Sequence, residues 1–197
     1  MLLIFTNVYF VRHAHSVYTP DELERPLSEK GLSDARKVTK LFKNEEIDIV
    51  VSSPYKRAIQ TVKGTAQTIN KEVEVVNNFK ERTLTIVPAE DFTRAIKKVW
   101  EDENFAWEGG ESNVAAQQRG VEALYHILEK YKGKNIVIGT HGNIMVLIMN
   151  FFSKQYDYTF WQNLDMPDNE KELIKVDRVW GTSANPCHKG DSLNLCN

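Results

Sequence analysis

The sequence predicts an α/β fold, a three-layer α/β/α sandwich on a mostly parallel sheet. Two observations carry that expectation. Short, unbroken apolar runs of strand length alternate with longer stretches whose apolar residues recur at helical spacing. Strands covered by helices on both faces read as continuous apolar runs, as these do. The 197 residues, 42% hydrophobic, suffice for one compact domain with a core and not for two large ones. We expect a single domain over 1–182 with a small cap region at about 82–112, and then a disordered tail over 183–197.

The elements follow in order. "NVYFV" is the first strand, and it runs straight into Arg12, His13 and a second imidazole, His15. "LSEKGLSDARKVTKLFKNE" places Leu32, Ala35, Val38, Leu41 and Phe42 at helical spacing, with Ser28 as its N-cap. "IDIVVSS" is the second strand. "SPYKRAIQTVKGTAQTIN" is a helix with Ser53 as cap, Pro54 at the first helical position, and a stripe of Ala58, Val62, Ala66 and Ile69. "VEVV" is the third strand, and a helix is expected near Glu90–Glu103. Gly109-Gly110 punctuates, after which Ser112 caps a helix carrying Val114, Val121, Leu124, Leu128 and Tyr131. "KNIVIGTHG" is the fourth strand. "NIMVLIMNFF", apolar on nearly every side, is a buried helix, and "ELIKVDRVWG" is a late edge strand.

Several function classes are disfavoured. A net charge of −2 with no basic stripe argues against nucleic acid as a partner. No apolar run approaches the ~18–20 residues of a membrane span. "MLLIF" lacks the basic region and cleavage site of a signal peptide. The only cysteines, Cys187 and Cys196, sit in the tail and cannot frame a disulfide-stapled fold, so a cytoplasmic setting is expected.

In an open parallel sheet, ligands collect beyond the carboxyl ends of the strands. Three of those ends carry unusual polar residues: Arg12-His13, then Ser52-Ser53-Pro54 with Arg57, then His141-Gly142-Asn143. Three readings fit such residues. They could form a zinc site of His13, His15 and His141, a phosphate-handling site, or an ordinary polar loop. Zinc is disfavoured because no carboxylate lies near "HAHSVY" and Arg12 would repel a cation. Arg57 taken alone would be a solvated helix residue.

The segments "VRHAHS", "PLSEKG", "SSPYKRAIQT", "FKER" and "GTHGN" resemble, in order and approximate spacing, those of the histidine phosphatase superfamily, which includes the cofactor-dependent phosphoglycerate mutases. The resemblance covers roughly Asn7 to Gly181 and implies a phosphoglycerate mutase-like sandwich, a phosphohistidine mechanism, and neither cofactor nor metal. His13 would be the nucleophile. Arg12 and Arg57 would clamp the phosphoryl oxygens and keep the His13 imidazole neutral, since a nearby like charge lowers an imidazole pKa. His141 would donate to a phosphoryl oxygen, and Asn143 and His15 would contact substrate.

The resemblance assigns the proton donor to Glu81, and a bound phosphate dianion favours the protonated form an acid needs. Glu111, after the Gly-Gly turn, is the competing carboxylate. Gly142 stands where the acid phosphatase branch has Asp, which favours the mutase-like branch and Glu81. Two departures stand out: Ala14 where Gly is common, tolerable at negative φ, and His15 where Gln, Glu or Asp is frequent.

His126 lies in a helical pattern and reads as structural, and His188 belongs to the tail. Only 60 positions separate Glu81 from His141 (141 − 81), too short for the covering insertion of the mutases. A phosphomonoester hydrolase is therefore expected over a mutase, and over a phosphate-ester binding module that has lost catalysis. Trp100, Phe105 and Trp107 either line an apolar substrate wall or, as we expect, pack against the cap helix. Small phosphomonoesters, a sugar phosphate or a phosphorylated protein side chain all stay open as substrates.

Overall fold

The computed structural model describes residues 4–87, 89–164, 174–180 and 195–196, with Ile4 and the last two segments as backbone. The elements are β1 (Ile4–Arg12), α1 (Glu29–Leu41), β2 (Ile49–Ser52), α2 (Lys56–Thr68), β3 (Glu74–Val75), α3 (Phe92–Glu101), α4 (Asn113–Lys130), β4 (Asn135–Thr140), α5 (Gly142–Phe152), α6 (Tyr158–Gln162), β5 (Ile174–Trp180) and β6 (Leu195–Cys196). The sheet order is β3-β2-β4-β1-β5-β6. The first four are mutually parallel, β5 runs antiparallel to β1, and β6 is parallel to β5.

Successive strand residues point to opposite faces, and here both faces are apolar. Val8 and Phe10 of β1, Val51 of β2 and Ile136 and Ile138 of β4 face Leu124, Leu128, Ile144 and Ile148 of α4 and α5. Tyr9, Val11, Val50 and Val137 face Val38 of α1 and Val62 and Ala66 of α2. That alternation produces the three layers. Each fully buried aliphatic side chain contributes about 1.5–3 kcal/mol. α5 is the most enclosed helix: Gly142 to Asn150 are buried without interruption, as its unpatterned apolar sequence requires.

Among the described helices, α1, α3, α4 and α6 start on local side-chain caps, and α2 and α5 do not. Ser28 accepts from the Gly31 N–H and Ser112 from the Ala115 N–H, each closing an otherwise open helix end. The expected cap at Ser53 is not realised. α2 begins two residues past Pro54, Tyr55 holds the cap position without a side-chain bond, and Ser53 Oγ accepts the Tyr55 N–H at 3.4 Å, ahead of the first turn. β5 was expected at the edge, but β6 lies outside it, with Arg178 and Val179 paired to Leu195 and Cys196. Of the tail expected to be disordered, only that pair lies among the described residues. α6 was not anticipated: five residues rich in aromatics give too short a window for periodicity.

Register positions the site. Arg12 stands beside Thr140, and Ser52 beside Gly139. The chain continues the ladder one step further, with His13 N–H donating to Thr140 O at 2.9 Å and Ser53 N–H to Gly139 O at 2.9 Å. Three strands thus end level, and their polar tips share one edge.

Candidate active site

The His13 ring is fixed at one nitrogen. Nδ1 lies 2.8 Å from the Ala14 carbonyl oxygen, which can only accept, so the proton sits on Nδ1 and Nε2 carries a lone pair. The Arg57 Nε–H donates to that Nε2 at 3.2 Å. Burial pushes the His13 pKa down to about 3, helped by the charges of Arg57, Arg12 and Arg25 and opposed by the Ala14 bond. Ala14 itself is fully buried, and its N–H donates to Thr61 Oγ1 at 3.0 Å. Asn70 is the only described non-glycine residue at positive φ, so the Ala14 methyl causes no backbone strain.

Arg57, in the first turn of α2, is 4% exposed and held on both sides. Its Nη1 donates to the Glu22 carbonyl at 2.8 Å and pairs with the Glu22 carboxylate at 3.2 Å. Its guanidinium lies 4.6 Å over the Tyr55 ring.

His141 completes the group. Its ring centroid is 5.1 Å from that of His13 and 4.8 Å from that of Tyr55, both edge-on. Ser53 Oγ sits 2.7 Å from His141 Nε2, which is where the hydroxyl expected as a helix cap has gone. His141 Nδ1 is buried and has no partner. A Ser53 hydroxyl that donates to Nε2 leaves the proton on Nδ1, which can then donate to a ligand. Burial, then His13, Arg57 and Arg12, hold the His141 pKa well below its ordinary value. Arg12 reaches the cluster through Gly142: a Cβ there would lie 3.0 Å from Arg12 Nε, so the absence of a side chain lets the guanidinium pack against the α5 start. Its Nη1 donates to the Leu164 carbonyl.

Glu81 arrives by a different route. Thr140 Oγ1 donates to the Phe79 carbonyl at 2.9 Å, tying the segment before Glu81 to the end of β4. Its carboxylate then accepts the N–H groups of Asn143 at 3.0 Å, Ile144 at 2.9 Å and Arg82 at 2.8 Å. Two of these are orphan donors of the α5 N-terminus, a setting that suits a carboxylate. The competing carboxylate is committed elsewhere. Arg119 grips Glu111 with Nε and Nη2, both at 2.9 Å, and Thr83 N–H donates to it at 3.2 Å. Burial raises the Glu111 pKa, but Arg119, the Thr83 N–H and Lys80 together leave the net shift downward.

His15 lies apart from the His13 cluster. Its ring is exposed and bonds Ser28 Oγ at 2.8 Å, at the N-cap of α1 and not within the cluster. Equal spacing on an extended stretch predicts a shared face, but the chain leaves the strand at Arg12 and that alternation ends with it. Among the described residues no three His, Cys, Asp or Glu side chains gather as a metal site. Phe105 and Trp107 pack edge-on at 4.9 Å, and Trp107 Nε1 donates to Ala95 of α3 at 3.1 Å, the packing role expected of them. Tyr55 was not singled out, although "SSPYKR" contains it, and Ser53 was read as a helix cap at a polar strand end.

A family description, the histidine phosphatase superfamily (branch 1), matches residues 8–178. The chain belongs to that superfamily. Phosphatases are among its relatives. A metal-independent phosphoserine phosphatase of Arabidopsis thaliana is 29% identical over 156 residues, covering 71% of this chain and 66% of that protein, just under two thirds. Phosphoserine phosphatase 1 of Hydrogenobacter thermophilus is 24% identical across 94% of this chain and 95% of its own. Among solved structures, a mycobacterial glucosyl-3-phosphoglycerate phosphatase shares the histidine phosphatase fold at TM-score 0.69 and 19% identity, covering 88% of this chain and 89% of that one. Among the described residues, no helix of this superfamily member is long and apolar enough to cross a membrane.

Proposed function

We propose that the chain hydrolyses phosphomonoesters through a covalent phosphohistidine on His13. One observation carries this reading: the His13 proton is pinned on Nδ1 by Ala14 while the bare Nε2 faces the Arg57 guanidinium. When a phosphoryl oxygen takes the Arg57 N–H, the Nε2 lone pair of the neutral imidazole is freed to attack the phosphorus that the arginine holds.

In the first step Nε2 attacks phosphorus and the P–O bond to the alcohol breaks. Arg12 and Arg57 balance charge on the equatorial oxygens, and His141 donates from Nδ1. Glu81 gives its proton to the departing alkoxide, releasing a neutral alcohol. In the second step the Glu81 carboxylate takes a proton from water as the oxygen attacks phosphorus. The P–N bond breaks, inorganic phosphate leaves and His13 returns to its neutral form. The arginines supply the positive charge, so the scheme needs no metal. A cytoplasmic setting and a small phosphorylated molecule as partner complete the reading.

The test is rapid quenching with an alkyl phosphate and with p-nitrophenyl phosphate, following phosphorylation of the protein. His13→Ala should abolish the acid-labile, base-stable phosphoprotein with both. Glu81→Gln should slow phosphorylation by the alkyl ester by about 10²–10⁴-fold and largely spare the aryl ester, whose phenolate leaves without a proton. Glu111→Gln should affect both equally and modestly. A phosphoprotein that survives His13→Ala would falsify the mechanism. Leaving-group dependence that appears with Glu111→Gln instead would move the acid there.

A further inference from the structure

Beside the His13 cluster lies a cavity of about 490 Å³, and Arg12, Glu81 and Asn143 form part of its lining. The same lining carries three aromatic rings. Phe92 opens α3, and Tyr158 and Trp161 belong to α6. Tyr158 and Trp161 stack at 5.9 Å and 21°, and Trp100, itself packed on the core, backs Tyr158 at 6.3 Å. Phe92 is 58% exposed, an apolar face that the fold leaves uncovered. Phe92 and Tyr158 stand 66 positions apart in the chain (158 − 92) and line one cavity.

Asn143 gives the cavity a second, independent mark. It is 5% exposed, and neither its amide oxygen nor its amide nitrogen has a partner. A buried amide left unpaired is costly unless a ligand completes it. Its backbone N–H holds Glu81, so this amide lies close to where the alcohol would be protonated. Charge adds a further restriction. Among the described lining residues Arg12 is the only cation and Glu81 is a carboxylate, so an alcohol bearing its own carboxylate meets no second positive group.

We propose that this cavity receives the alcohol half of the substrate, a neutral alcohol that carries a flat apolar ring and, near the ester, an uncharged hydrogen-bonding group. The proposal rests on the phosphatase reading above and adds the substrate class to it. The ring lies between Phe92 and the Tyr158–Trp161 pair, and Asn143 pairs with the neutral polar group.

The test compares kcat/KM of the full chain for four alkyl phosphates, so that leaving-group strength stays similar: 2-phenylethyl phosphate, glycerol 3-phosphate, O-phosphoserine and 3-phosphoglycerate. The phenylethyl ester should exceed glycerol 3-phosphate by about 10-fold, the scale on which an apolar pocket discriminates. The two carboxylated esters should be slower still. Trp161→Ala should lower the phenylethyl value by about 10-fold and leave glycerol 3-phosphate within about 2-fold. Phe92→Ala, at an exposed position with little folding cost, should act in the same direction. Equal losses on both neutral substrates, or a preference for phosphoserine or 3-phosphoglycerate, overturn the proposal while the phosphatase reading stands. Absence of turnover on all four overturns both.

Discussion

His13 and His141 are imidazoles that the native state holds neutral by burial and by neighbouring arginines, and acid should expose the cost. The His13 pKa is near 3 in the folded chain against an ordinary 6.5. As pH falls through 6.5 the unfolded chain takes up a proton that the native chain refuses until about 3. The stabilisation is therefore fully present above pH 6.5 and lost across the interval below it. The loss from one such group approaches about 1.4 kcal/mol per pH unit. Urea unfolding between pH 7 and 4 should show a steeper loss for the natural sequence than for His13→Asn, by close to one proton. Identical slopes would mean that His13 protonates normally in the native state.

α1 is set by contact with the loop that follows β1. Ser28 Oγ serves three groups there: it accepts from Gly31 N–H at 3.1 Å, meets His15 Nδ1 at 2.8 Å and lies 3.3 Å from the His15 carbonyl. Gly31 makes the closest approach, since a Cβ at that position would sit 2.0 Å from the His15 carbonyl oxygen. Both partners are backbone, so neither can rotate away. Gly31→Ala should cost about 1–3 kcal/mol, the range for overpacking, and lower Tm by several degrees in a chain of this size. Calorimetry on the purified variant decides it. An unchanged Tm would show that α1 slides off the loop without penalty.

At the scale of the whole chain, the site-bearing strand β1 sits between β4 and β5, with Ile4 to Phe10 paired in register to Trp180 through Ile174. A chain ending at Leu164 loses that ladder and leaves β1 as an open apolar edge, a ready template for association. It should aggregate or lose its cooperative thermal transition. Among the described residues, a chain ending at Trp180 gives up the two-residue pairing with β6, and it should unfold within a few degrees of the full chain. Equal behaviour of the two truncations would show that β5 contributes little to holding β1.

What the sequence determined by itself is what short-range pattern can encode. The apolar runs of β1, β2 and β4 specified a covered parallel sheet, and their polar tips specified where Arg12, His13, Arg57 and His141 would gather. Parallel strands point their carboxyl ends the same way, so polar tips at those ends share one edge of the sheet. Residues recognised through short motifs were legible for the same reason: the motif and the strand end are neighbours in the chain. What only the tertiary structure decided is pairing across distance. A serine after a strand reads as a helix cap, and nothing local says that Ser53 will instead meet His141, 88 positions away. The "FKER" resemblance names Glu81, but nothing local says that its carboxylate will land on the α5 N-terminus and that of Glu111 in the Arg119 fork. Nor does periodicity say that Phe92 and Trp161 will share one cavity. Pattern assigns a side chain to a face, and only packing chooses the partner that face meets.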